Sequence, residues 1–379
     1  MKRIILLLIT IAFVFGCTND EQLKLTQNIG NDISETEALD ILQKMLSNQP
    51  QTRNGIKNIS VKAKSYYSVD NVKYPMYHFL IEGDEQGFAL VSADKRCPEI
   101  ICYVPNGQLS DTIFNCAANT MLKMAEKSIA EEIRLNGARR RDGDSLILIS
   151  EVTPLLETTW DQTYPYNAQN EETACSLFAN STYQWKYPVG CHAVAVAQLF
   201  GYYEKSLGFT INWLDLKELP SISASETAKA NLISNYMKLI AINLDMEYDC
   251  SGGGTTINKV MTYLANNGLS LTNETSTRFN TTSLSWLDNG NIVYLRGKEN
   301  NSIGEEIGRH AWLIDGYQKY KYQSSNSYKY YLHTNYGWGG RFDGYYAISN
   351  NTTMVLPLHA TDQNYYLNNI TYYKVEEIY

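Results

Sequence analysis

Along this chain the spacing of hydrophobic positions changes repeatedly, and each change marks an element. After Lys2 and Arg3 comes an unbroken apolar run, Ile4 to Phe15, shorter than the roughly 20 residues a permanent membrane helix needs, so it reads as an export signal. Ser34 to Asn48 is amphipathic at helical spacing, with Ser34 at the N-cap and Glu37 three residues on, a capping-box pattern. Strand character follows in Lys62 to Val69, Met76 to Glu82 and Gly87 to Ser92, with the acidic turn Glu82-Gly83-Asp84-Glu85 making the last two a hairpin. Ile100 to Val104 predicts another strand, and Thr112 to Leu135 a long helix. Periodicity then stops at Asn136 to Asp144, where glycines, Arg139, Arg140, Arg141 and acidic residues replace it.

A second pattern begins near Val152 with irregular, Pro- and Asn-bearing chain. Cys191 to Tyr203 is apolar almost all round, which predicts a buried helix. Helices are expected over Ser225 to Asp245 and Thr256 to Asn266, the latter after a Gly252-Gly253-Gly254 loop. Strands are expected over Asn291 to Arg296, Ala311 to Asp315, Tyr328 to Thr334 and Gly344 to Ser349. Helices first and antiparallel strands later give a two-lobed α+β arrangement behind a smaller α+β unit. With 379 residues, two folded units agree with ordinary domain sizes. The expected division is a signal over residues 1–16, a tether over 17–33, the smaller unit over 34–141 and the larger over 142–379.

Composition narrows the partners. A net charge of −8 without a basic stripe excludes nucleic acid as the partner, since phosphate binding needs a positive face. The 29 tyrosines suit half-buried sheet positions. Gly16-Cys17, with Val14 upstream, resembles a bacterial lipoprotein box, in which Cys17 carries the lipid and only that lipid touches the membrane, placing the protein on the cell envelope. Bulky Phe15 departs from that pattern. Seven cysteines are present; none has metal spacing, so neither a metal nor another cofactor is expected. Cys175 and Cys250 remain able to pair if a neighbouring cysteine is a working thiol.

Cys191 is the candidate for that thiol. It follows Gly190 at the start of a helix, where unpaired N–H groups and the helix dipole favour an anion. A nucleophilic cysteine needs a base, and the chain has five histidines, at 78, 192, 310, 333 and 359. His78 lies in the first unit, His359 in the tail, and His192 is Cys191's neighbour on a helix and so faces elsewhere. His310 opens a strand-like segment, and His333 sits two residues before Asn335; both stay in play, His333 as the rival. Asn335 is the candidate to orient the base, with Asp315 as an alternative on the opposite strand face. Trp338 is placed to shield the pair, and Gln162 to join the Cys191 N–H in stabilising an oxyanion.

Four segments, WDQTYPYN, VGCHAVAVAQLFGYY, GRHAWLIDGY and HTNYGWGGRFDGYY, resemble in order and spacing the streptopain family of bacterial cysteine peptidases. GFALVSADKRCPEIICY resembles that family's propeptide, and PLLETTWDQ its mature opening. The resemblance implies a papain-like, two-lobed fold and a cysteine endopeptidase made as a latent zymogen, with protein or peptide substrates and a preference for a hydrophobic side chain two residues before the cut. It places Cys191 on the nucleophile, His310 on the base, Gln162 on the oxyanion-hole glutamine, and Asn335 and Trp338 on the asparagine and second tryptophan of an NWGWGG segment. An activating protease would cut at Arg139 to Arg141. Two positions depart from the pattern: Tyr336 replaces the first tryptophan, and Arg309 stands where glycine is common. The competing readings are another Cys-dependent acyl transfer, such as a peptidoglycan amidase or transglutaminase, and a non-enzymatic envelope binding protein.

Overall fold

The computed structural model describes residues 32–47, 56, 58–69, 72–95, 100–109, 122, 146–250, 252–273, 281–300, 306–323, 328–348 and 367–378. Cys17, the helix expected over Thr112 to Leu135 apart from Leu122, and the Arg139 to Arg141 junction lie outside these residues. In chain order, α1 (Glu35–Ser47) precedes the strands β1 (Asn58–Val69), β2 (Val72–Glu82), β3 (Gln86–Ser92) and β4 (Ile100–Val104). Next come β5 (Leu146–Val152), α2 (Cys191–Tyr202), the one-turn α3 (Trp213–Leu216), α4 (Thr227–Asn243), β6 (Glu247–Asp249) and β7 (Gly252–Gly254). The chain continues through α5 (Ile257–Asn266), β8 (Leu269–Asn273), α6 (Thr281–Asp288), β9 (Val293–Asn300), β10 (Glu306–Tyr322), β11 (Tyr328–Asn335), β12 (Gly344–Ile348) and β13 (Leu367–Glu377).

The capping box at α1 is partly realised in the Glu37 N–H, which donates to Ser34 Oγ at 3.2 Å. Ala38, Ile41, Leu42 and Met45 form the buried stripe of that helix, and they pack with the four-stranded meander β1–β4. The meander does not end in an edge. β4 pairs with β12, Tyr103 opposite Tyr345 and Cys102 opposite Tyr346, so one antiparallel sheet of eleven strands runs β1-β2-β3-β4-β12-β11-β10-β9-β13-β8, with β5 on β10. Gly344 permits the junction, because a Cβ there would lie 2.3 Å from the Tyr103 carbonyl oxygen.

β10 is far longer than the Ala311 to Asp315 expected from sequence. It spans 17 residues because it serves several neighbours in turn, β9 at its start, β11 along its second half and β5 at its end. Two hydrophobic cores lie against the sheet. One joins α1 and β1–β4 to Trp312, Ile314 and the tyrosines of β11 and β12; the other surrounds α2 with residues of α4, α5, Ala311 and Leu313. α2 is buried from Cys191 to Gly201, as its all-round apolar pattern predicts. That burial makes the helix a fixed platform for its first residue.

Candidate active site

Cys191 is the first residue of α2, and the backbone of Gly190 before it has φ 93° and ψ 138°, a conformation that favours glycine. A Cβ on Gly190 would also meet Met246 Cε at 2.4 Å. The β6–β7 hairpin closes over this turn. Tyr248 Oη donates to the Val189 carbonyl at 3.0 Å, and the hairpin's Cys250 is disulfide-bonded to Cys175, the pairing the sequence leaves open. The Gly252 to Gly254 strand therefore stands beside the nucleophile's approach, where the sequence predicts a glycine-rich loop.

Burial pushes the Cys191 thiol up, while the backbone N–H groups of Ala311, His192 and Cys191 itself act in the other direction. Cys191 shares one hydrophobic core with Ala311 and Leu313, which brings β10 to the start of the helix. His310 is buried, and desolvation lowers its pKa to about 4, because a charged imidazolium there has lost its water. Its Nε2 is buried without a hydrogen-bond partner. The ring stacks on Trp312 at 6.1 Å and meets Trp338 edge-on at 6.3 Å. Burial thus biases both groups toward their neutral forms.

His192, adjacent to the nucleophile, faces Tyr294, with Nδ1 2.5 Å from its hydroxyl. The rival His333 is engaged elsewhere as well. Its Nδ1 lies 2.6 Å from Asp315 Oδ1 and its ring contacts Tyr345 at 5.0 Å. Burial opposes the charge on His333, but the attraction and hydrogen bond of Asp315 and the nearby Asp343 prevail and raise its pKa. Asp315 Oδ2 also accepts from the Leu156 N–H at 3.2 Å. Asp315 is therefore a partner of His333 and not of His310. Burial pushes Asp343 up to about 7, despite the hydrogen bond it accepts from the Tyr336 N–H.

Asn335 differs from expectation. It stands opposite Leu313 in the β10–β11 register, so it shares a sheet face with Ala311 and Leu313 and not with His310. Its amide bonds to Gln198, the Thr158 carbonyl and the Gly337 N–H, a set that does not include His310. Trp338 does reach His310. Gln162 is partly buried; its N–H donates to Asp161 Oδ1 at 2.5 Å and its carbonyl accepts from Val189 N at 2.9 Å. That clasp ties the Gln162 backbone to the strand of chain two residues ahead of Cys191. Tyr336 is buried in the sheet core, so the ring that replaces the expected tryptophan serves as packing.

Sequence reasoning passed over Gln198, Tyr248 and the β6–β7 hairpin. Gln198 carries a signal, since a fully buried amide in an otherwise apolar helix must have partners. Among the described residues no cluster of His, Cys, Asp or Glu is arranged to hold a metal ion.

Comparison with known proteins agrees with this picture. Residues 160–346 match the Peptidase C10 family, and residues 30–129 match the Spi protease inhibitor family. Streptopain of Streptococcus pyogenes is 25% identical over 307 residues, covering 69% of this chain and 71% of its own. Thiol protease/hemagglutinin PrtT of Porphyromonas gingivalis is 25% identical over 332 residues, covering 76% of this chain and 36% of its own. The fold is similar to that of a Prevotella intermedia prointerpain A fragment, with a TM-score of 0.51 at 20% identity over 84% of this chain and 99% of that one.

Proposed function

Because the chain carries a domain of the Peptidase C10 family behind an inhibitor-like unit, and is a cysteine peptidase on that ground, we propose that Cys191 and His310 perform its chemistry. The observation that carries the reading is the seat of Cys191, a thiol at the start of a buried helix that packs in one core with Ala311, the neighbour of His310. The Cys191 thiolate attacks the scissile carbonyl, and its proton passes through His310 to the leaving amine. The oxyanion formed meets the Cys191 N–H and the Gln162 amide, and water then hydrolyses the acyl-enzyme with His310 as base. Trp338 walls the imidazole from solvent.

The neutral state of the pair supports latency. Burial raises the thiol's pKa and lowers the imidazole's, which disfavours a thiolate–imidazolium pair in the uncleaved chain. We assign residues 34–141 to the propeptide and 142–379 to the peptidase, with cleavage at Arg139, Arg140 or Arg141 by an activating protease. The signal over 1–16 exports the chain, Cys17 carries the lipid, and residues 17–33 tether the zymogen to the envelope.

The test is to express the chain without its signal, add trace trypsin, and follow the appearance of a fragment starting near Asp142 together with proteolysis of a denatured protein sensitive to a thiol-directed inhibitor. Cys191→Ala should abolish hydrolysis and labelling. Cleavage of cell-wall peptides in place of protein, or a Cys191 that a covalent thiol probe leaves unlabelled after processing, would overturn the reading.

A further inference from the structure

We propose that Gln198 is a positioning residue of this site, and that Asn335 acts through Gln198 and not by orienting His310; the proposal rests on the peptidase reading above. Gln198 lies seven residues after Cys191, which on an α-helix returns to nearly the same face about 10 Å along the axis. It is fully buried. Its Oε1 accepts from Trp160 N at 3.1 Å, from Thr158 Oγ1 at 3.3 Å and from Asn335 Nδ2 at 3.3 Å. Its Nε2 donates to Asn335 Oδ1 at 2.8 Å.

Asn335 has no capacity to spare. Its Nδ2 donates to the Thr158 carbonyl at 2.9 Å and to Gln198 Oε1, and its Oδ1 accepts from Gln198 Nε2 and from the Gly337 N–H at 3.0 Å. Both N–H groups of the amide are used, and its oxygen already accepts twice. An imidazole N–H would have to displace one of these bonds.

The segments joined at Gln198 each lead to a working group. Thr158 to Trp160 runs directly into Asp161 and Gln162, the oxyanion donor. Asn335 to Gly337 runs into Trp338, the wall of the base. The second segment climbs the face of α2 that begins with Cys191: Asn335 rests on Gln198, and a Cβ on Gly337 would lie 2.8 Å from Val194 Cγ1, one turn nearer the thiol. Trp338 then meets His310. The Gly339 N–H donates to the Trp160 carbonyl at 3.3 Å, closing the two segments on each other. One buried amide thereby sets the height of both the oxyanion donor and the tryptophan relative to the nucleophile.

The experiment uses the full chain, folded and then activated by limited proteolysis, as parent, Gln198→Ala, Asn335→Ala and the double variant. Gln198→Glu keeps the shape and one acceptor, so the test survives an alanine variant that fails to fold. Readouts are kcat and KM on a peptide substrate, and the rate of Cys191 alkylation by iodoacetamide as a function of pH. Alkylation needs the thiolate and its base but forms no oxyanion. Each single variant should lose about 100-fold in kcat, the scale of a misplaced oxyanion donor, with KM within about threefold. The double variant should be no more than about twofold worse than the worse single, because the two amides form one unit. Any shift of the alkylation profile should be the same in Gln198→Ala and Asn335→Ala, because the pair sets Trp338 together. A profile displaced in Asn335→Ala but not in Gln198→Ala would show that Asn335 orients His310 and would overturn the proposal, as would additive losses or an unchanged kcat. A parent that alkylates but never hydrolyses peptides removes the peptidase premise itself, a result distinct from either.

Discussion

Two histidines stand on neighbouring strands of the same sheet, and their surroundings drive them in opposite directions. His333 has what a catalytic base is often pictured with, a carboxylate 2.6 Å from its ring, and it is held toward the charged form. His310 has no such partner among the described residues, is flanked by Trp312 and Trp338 and is biased toward the neutral form. An acid beside an imidazole is therefore not by itself a mark of catalysis. A base must be able to take a proton during the reaction, and Asp315 biases His333 toward the form that already carries it. In the proposed reading His310 is the imidazole left free to take the thiol's proton.

The largest effect should come from exchanging the roles. His310→Ala in the activated enzyme should lower kcat by about 10⁴-fold or more, as for loss of a catalytic base, while His333→Ala keeps substantial activity; steady-state kinetics on a peptide substrate would decide it, and a dead His333→Ala beside a working His310→Ala would invert the comparison. Next comes reactivity. In the uncleaved chain, iodoacetamide should alkylate Cys191 slowly at neutral pH and faster as pH rises, whereas after cleavage rapid alkylation should extend to neutral pH and below, measured by mass of the labelled peptide.

Stability offers a third contrast. Replacing His333 by Gln should destabilise the fold by about 3–5 kcal/mol, because Asp315 is left as an unpaired buried charge; denaturant unfolding measures this. The two histidines should also tilt the pH dependence oppositely. His333, raised above its ordinary 6.5, contributes stability that is full below that value and is lost as pH climbs through its folded pKa. His310, lowered to about 4 from 6.5, contributes stability present above 6.5 and lost as pH falls toward 4. Relative to the parent, His333→Gln should therefore flatten the alkaline side of the stability curve and His310→Gln the acid side. The smallest effect expected is that of Tyr248→Phe, which removes one hydrogen bond to Val189 and should cost about 0.5–1.5 kcal/mol with a severalfold change in kcat.

Much of this was legible in the sequence wherever local pattern decides. The buried helix from Cys191, the hairpin around Glu82 to Glu85 and the strands at Ile100 and Gly344 follow from spacing and turn residues within a few positions. What was hidden depends on register. Asn335 and His310 look adjacent when strands are drawn side by side, yet the pairing of Asn335 with Leu313 sends the amide to the other face. Asp315 was correctly placed away from His310, but nothing local says that His333 is what it meets. The β6–β7 hairpin escaped because Glu247 to Gly254 is short and glycine-rich, and its conformation is imposed by Tyr248, Gly190 and the Cys175–Cys250 bond. β13 and β5 escaped for a related reason. They are strands because β9 and β10 offer them edges, and that offer is made by distant parts of the chain.

The pairing of β4 with β12 means that a cut in the chain and the departure of its N-terminal part are separate events. Severing the arginine junction leaves Tyr103 and Cys102 still bonded across to Tyr345 and Tyr346, so the inhibitor-like unit must be peeled from the sheet like a strip of tape. Among the described residues that seam is held by two β4–β12 pairs, by the Phe342 N–H on the Asn106 carbonyl at 2.7 Å and by a shared hydrophobic core. Once it is gone, Gly344–Ile348 changes from an interior strand to a rim with bare N–H and carbonyl groups. An enzyme so released would carry a sticky margin for as long as it works.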